Sequence, residues 1–193
     1  MSALTREKLY SLEEYAEKRP QIRKDVIATK KIRNVHLGDH VLFMFENVET
    51  IQYQIQEMLR IEKIFESEGI QEELDVYNPL IPDGNNLKAT LMIEYDDVEE
   101  RRKALAKLIG IEKKIYFQVN GGDKVYPICN EDLDRETEEK TSSVHFARFE
   151  FSDEMIADFK SGKEVKIISE HPEYLVEMTL SESVQSELAK DFS

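Results

Sequence analysis

The chain has 193 residues, 40% hydrophobic and 34% charged, with a formal net charge of −14. That balance describes one globular domain over 1–193 with room for a sizeable core, and it argues against nucleic acid, whose phosphates call for a basic footprint. The single cysteine, Cys129, excludes an internal disulfide, and no apolar run reaches membrane-spanning length.

The start, MSALTREKLYSLEEY, lacks the apolar centre of a signal peptide, so cytoplasmic residence is expected. Residues 11–33 read as helical, with Ser11 as N-cap and Glu13 and Glu14 in the first turn. Pro20 predicts a kink or a division into two helices. The run from Arg19 to Arg33 collects Arg23, Lys24, Lys30 and Lys31, a basic face in an acidic chain that reads first as solvated surface. Gly38-Asp39 is a tight turn, and Val41 to Glu46 a strand apolar on both faces. His36 and His40 bracket that turn; two histidines alone are a weak metal signal.

Thr50 to Ser67, TIQYQIQEMLRIEKIFES, is the stretch around which the chain is organised. At about 100° per residue, Ile51, Ile55, Met58 and Phe65 form one stripe, with Glu62 inside it and Tyr53, Gln54 and Glu57 in its margins. The helix is expected to end near Gly69 and to pack across a largely antiparallel sheet. A carboxylate buried in such a stripe requires a partner. Arg148 makes Glu62 a structural ion bridge, whereas His145 and a second carboxylate make it a metal or proton-transfer site.

Beyond it, Ile70 to Tyr77 reads as one or two helical turns, and NPLIPDG (Asn78 to Gly84) as a stiff segment suited to a pocket mouth, with Tyr77, Asn78 and Asp83 as its polar groups. Leu87 to Tyr95 alternates as a strand and ends beside Glu94. Asp97 caps a helix that stops at Gly110. Ile115–Val119 and Lys124–Ile128 flank the turn Asn120-Gly121-Gly122-Asp123. Residues 131–140 suggest a short helix plus loop. In Val144 to Phe151, His145 shares a face with Ala147, Phe149 and Phe151, while Arg148 takes the opposite face. A short helix (Asp153 to Lys160), strands at Val165–Ser169 and Leu175–Leu180, and a helix capped by Ser181 complete the chain. The ends, about 1–4 and 190–193, are expected to fray. Grouped strands and irregularly placed helices give an α+β fold. No phosphate loop, nucleophile elbow, dinucleotide fingerprint or Cys-x-x-Cys is present.

YQIQEMLRIE (Tyr53 to Glu62), ELDVYNPLIPDG (Glu73 to Gly84), ATLMIEY (Ala89 to Tyr95) and KTSSVHFARFE (Lys140 to Glu150) closely resemble a bacterial family known as domain of unknown function 3501. The resemblance runs over nearly the whole chain, with Pro20 as a departure. It implies a setting beside rubrerythrin-like and iron–sulfur proteins, and hence in redox or oxidative-stress metabolism. It assigns no catalytic residue.

Two readings follow. The preferred one is a non-catalytic accessory or interaction protein, a homo-oligomer working with a rubrerythrin-like or iron–sulfur partner, away from nucleic acid and membrane and in need of no cofactor. The alternative is a carboxylate–histidine metalloprotein holding a divalent metal on Glu57, Glu62 and His145, with Glu94 nearby. The candidate polar cluster is Tyr53, Gln54, Glu57, Glu62, Tyr77, Asn78, Asp83, Glu94, His145 and Arg148.

Overall fold

Strand β3 (Asn86–Ile93) buries Leu87, Ala89, Leu91 and Ile93 and leaves Lys88, Thr90 and Met92 half-exposed, as a period of two requires. The computed structural model of the chain describes residues 3–131, 137 and 139–193. The segment 131–140 therefore lies largely outside the described residues. Strand β3 lies between β2 (Val41–Phe45) and β7 (Val144–Glu150), all antiparallel. Strands β1 (Asn34–Leu37) and β6 (Ile128–Cys129) complete a sheet of order β1-β2-β3-β7-β6. A second sheet has the order β5-β4-β8-β9, from Lys124–Val125, Ile115–Val119, Val165–His171 and Tyr174–Thr179. The fold is α+β with antiparallel sheets, as expected, but the strands divide between two sheets. Lys124–Ile128 is not one strand, because Pro127 has no N–H for a ladder. The chain pairs with β4 before it and crosses to β7 after it.

The two sheets share one core. Phe43, Phe45 and Phe149 meet Phe117 and Ile167 there, and the Phe117 and Phe149 rings stand edge to face at 4.8 Å. Such pairs add to simple area burial.

Helix α1 (Leu12–Arg33) opens on a reciprocal Ser11–Glu14 capping box and runs through Pro20. The carbonyl that Pro20 leaves without a donor belongs to Ala16, which is exposed to water. Helix α2 (Val48–Ile61) packs against helices, not across a sheet. Its Ile51, Ile55 and Leu59 join Leu4, Leu74 and Ile81 in a second apolar cluster. It also ends early. Lys63 adopts a left-handed φ of 55°, and the Ile64 N–H donates to the Leu59 carbonyl at 3.0 Å, the six-to-one bond of a Schellman cap. Helix α3 (Ser67–Tyr77) then starts afresh. Glu62 is the C-cap residue of α2 and exposed, so the stripe placed around it does not exist.

Helices α4 (Val98–Lys107) and α6 (Glu182–Leu188) follow their predicted caps Asp97 and Ser181, and α5 (Asp153–Lys160) is capped by Ser152. Where fraying was expected, the described residues Leu4, Asp191 and Phe192 are buried. The Phe192 ring meets Phe151 and Phe159 at 5.3 and 5.2 Å. The Ser193 N–H donates to the Gly84 carbonyl, and any Cβ on Gly84, at φ +113°, would strike the Ser193 side chain. Arg33, fully buried, donates to the Phe45 and Glu46 carbonyls and pairs with Glu187 at 3.3 Å and with Asp191. Those bonds tie α1 to the last turn of the chain.

Candidate functional site

On the outer side of the five-stranded sheet, Lys88, Arg148 and Ile128 occupy one cross-strand row, with Thr90 and Phe146 in the next. Above them the chain leaves α3 through a short 3-10 turn, Asn78–Leu80. Pro79 and Pro82 stiffen this passage. The Asn78 side chain clamps it to the Leu4 backbone, accepting at 2.8 Å and donating at 3.0 Å. The turn into β3 closes when the Asp83 N–H donates to Asn86 and the Asn86 amide donates back to the Asp83 carboxylate.

Between this roof and the sheet lies a cleft of about 760 Å³. Val76, Tyr77, Leu80, Ile128 and Phe146 give it an apolar lining, and Val76 and Ile128 are 65% and 44% exposed. Its charged lining comprises four acids, Glu46, Asp75, Asp83 and Glu131, against Lys88 and Arg148. The two cations are already engaged. The Lys88 ammonium donates to the Pro79 carbonyl at 2.9 Å and pairs with Asp83 at 3.3 Å. Arg148 grips Glu131 through Nε at 2.9 Å and Nη2 at 2.8 Å, and also holds Glu150. The Arg148 fork draws the Glu131 carboxyl below its usual range, and Glu131 in turn raises Arg148. Among the described residues the lining has no histidine, cysteine, serine or threonine, and its ionisable groups are carboxylates, Tyr77, Lys88 and Arg148.

Of the residues singled out from sequence, the cleft gathers Tyr77, Asp83 and Arg148; Asn78 braces its roof. The others lie elsewhere. Glu57 accepts from Arg19 Nε at 2.7 Å and Nη2 at 2.9 Å and from the Tyr15 hydroxyl at 2.7 Å. These bonds, Arg19's first, hold its carboxyl at about 2. Burial and Glu57 push the Tyr15 phenol up. Tyr53 lines a smaller crevice of about 220 Å³ between α1 and α2, and Gln54 is half-buried on α2. Glu94 is exposed, and its backbone bonds to His40. His36 pairs in register with Leu42, and His40 stacks on Tyr95, so the two histidines do not meet.

His145 is a fully buried core histidine. Asn130 accepts from the Phe146 N–H, which turns its amide NH₂ towards His145 Nδ1 at 3.1 Å. Nδ1 is therefore the acceptor, and Nε2 carries the proton and donates to the Ser142 carbonyl at 2.9 Å, beside Thr141 Oγ1. Glu57, Glu62 and His145 thus stand apart. Neither does Arg148 meet Glu62: its fork is taken by Glu131, which lies closer along the sheet. Among the described residues no three His, Cys, Asp or Glu side chains converge as a metal requires. No helix among them is long and apolar enough to cross a membrane.

Sequence reasoning missed Glu112. It sits in a 3-10 turn, Ile111–Lys113, fully buried, and among the described residues its carboxylate has no hydrogen bond and pairs with Lys113 Nζ at 3.7 Å. It stands before Lys113 and Lys114, a charged run that does not announce burial. The Cys129 thiol lies against the Glu112 carbonyl, 3.5 Å away; burial and then the Glu112 charge push that thiol up to about 12. Lys88, Glu46 and Glu131 were missed as well, because cleft lining depends on cross-strand register.

The family described as "Protein of unknown function (DUF3501)" matches residues 3–192, and the chain belongs to it. The chain is similar to the crystal structure of a novel protein of unknown function from Burkholderia pseudomallei K96243, at 50% identity, with 100% of each chain covered and a TM-score of 0.92. No curated protein matches it.

Proposed function

We propose that this member of the DUF3501 family is a non-catalytic accessory protein that acts by protein–protein contact, with the cleft beneath α3 as its contact surface. The observation that carries this reading is the cleft lining: exposed apolar side chains beside ion-paired charge. Exposed apolar surface rimmed by polar groups is what contact sites present. The ionisable groups that favoured a metal site are spent on structure, Glu57 on Arg19 and His145 on Ser142 and Asn130. A homo-oligomer working in the cytoplasm beside a rubrerythrin-like or iron–sulfur partner completes the reading; that redox setting rests on the family resemblance. The net charge of −14 speaks against nucleic acid.

The test is a photo-crosslinking residue placed at Val76 or Ile128 in the living cell, with the exposed Leu175 as control position. Discrete protein adducts from the cleft positions, lost with Leu80→Asp, are expected. Adducts no different from those at Leu175 would sink the reading. So would a stoichiometric metal in untagged protein, lost with His145→Gln while the fold is kept.

A further inference from the structure

We propose that the occupant of the cleft is helix α1 of a second copy, so that two chains pair reciprocally, each laying the basic outer face of its α1 against the other's acid-rimmed cleft. This rests on the cleft being a contact surface and adds what fills it.

Two surfaces of opposite charge carry the inference. The first is the cleft, whose charged lining holds four acids and two already-paired bases around Val76, Leu80 and Ile128. The second is α1, which buries only Tyr15, Val26 and Arg33 along its length. At about 100° per residue, Arg23, Lys24, Ile27 and Lys31 fall within roughly 100° of arc. All four are exposed, Ile27 to 52%, and none of the three cations has an ion pair among the described residues. Basic residues near a helix C-terminus suit the macrodipole, which accounts for Lys31. It accounts neither for Arg23 and Lys24 in mid-helix nor for an exposed isoleucine among them.

The two surfaces match in sign, and each sets its charge beside exposed apolar side chains. Lys24 and Lys31 lie about one helical turn to either side of Ile27, given a rise of about 1.5 Å per residue. An isoleucine seated among Val76, Leu80 and Ile128 would carry those two ammonium groups onto a lining that also holds Glu46, Asp75, Asp83 and Glu131. A reciprocal pair repeats the contact twice about a two-fold axis, as closed dimers do. Complementary charge of this kind fixes register and partner choice, and salt weakens it.

Sedimentation velocity on three full-length proteins tests the inference: wild type, K24E/K31E and D75K/E131K, each checked for an unchanged circular-dichroism spectrum. The wild type is expected to dimerise at micromolar concentrations and to weaken as sodium chloride is raised. Each variant alone should lose at least tenfold in affinity. An equal mixture of the two should restore the dimer, because the acidic α1 then meets the basic cleft while the native α1 meets the native cleft. A wild type that is monomeric throughout, a dimer indifferent to both variants, or a mixture that fails to pair would overturn it. A fluorescent peptide of residues 19–33 separates this failure from that of the broader reading. If the wild type is monomeric but binds the peptide, and D75K/E131K does not, self-pairing falls and the contact surface stands. If the peptide does not bind and the Val76 crosslinker gives no adduct, both fall.

Discussion

Arg19 and Glu57, 38 residues apart, face each other across α1 and α2 in a two-pronged ion pair at 2.7 and 2.9 Å. A planar guanidinium meets both carboxylate oxygens, which is the strongest geometry open to such a pair.

Glu57→Gln should lower the stability of the folded protein by about 1–2 kcal/mol, toward the modest end for charge-assisted bonds because Arg19 is partly open to water. The pH dependence has a definite sign. The folded carboxyl titrates at about 2, below its ordinary value of 4.5, so the pair's stabilisation is present above 4.5 and is lost as pH falls towards 2. Urea denaturation of both proteins should show a gap at neutral pH that narrows below pH 4.5. A gap that widens in acid would contradict the pairing.

Arg33→Ala removes the cation that pairs with the buried Asp191 and strips the Phe45 and Glu46 carbonyls of a donor. A loss of about 3–5 kcal/mol is expected, as for other broken buried pairs. Thermal denaturation reads it directly. Little change in melting temperature would mean that the C-terminal turn contributes nothing to the fold.

Glu112→Met should act in the opposite direction. The carboxylate is fully buried without a hydrogen bond, and a thioether of similar volume removes its desolvation cost. A gain of about 1–4 kcal/mol follows if the site repacks cleanly. Loss of stability in urea would show that Glu112 has a partner worth more than the cost of its burial.

Cys129 should be inert. With its thiol pushed up to about 12, the thiolate fraction at pH 8 is on the order of 10³-fold below that of an ordinary cysteine. Alkylation by iodoacetamide, followed by mass spectrometry on the native protein, should be correspondingly slow, and faster in the Glu112→Met variant. Rapid labelling of the native chain would contradict the buried setting.

What the sequence made legible was local. Leu87, Ala89, Leu91 and Ile93 announce β3 by alternation, and Ser11, Asp97 and Ser181 announce helix starts by their hydroxyl and carboxylate caps. Strands β2, β3 and β7 were legible from their apolar faces, but their order β2-β3-β7 was not. The end of α2 was hidden because its left-handed residue is Lys63 where a glycine would have marked it. With the helix wrongly extended, Glu62 fell inside the apolar stripe and Phe65, 62% exposed, was counted as core. Partner choice was hidden for a different reason. Glu57 takes Arg19 and His145 takes Asn130, and such pairings are fixed by tertiary distance, which periodicity does not encode. The cleft was half legible: the stiff NPLIPDG roof could be read, but its floor depends on the register that sets Lys88 opposite Arg148.

Arg33 also sets an order of events during synthesis. Its acidic partners, Glu187 and Asp191, lie 154 and 158 residues downstream. On a ribosome, which releases the chain from its N-terminus onward, α1 emerges long before the groups that neutralise its last side chain. Until they arrive, Arg33 keeps its water and the junction between α1 and β2 stays unsealed. Closing so distant a contact is slow, because the loop entropy is spent before the contact is made. The Arg33 site is therefore completed only once Glu187 and Asp191 have emerged.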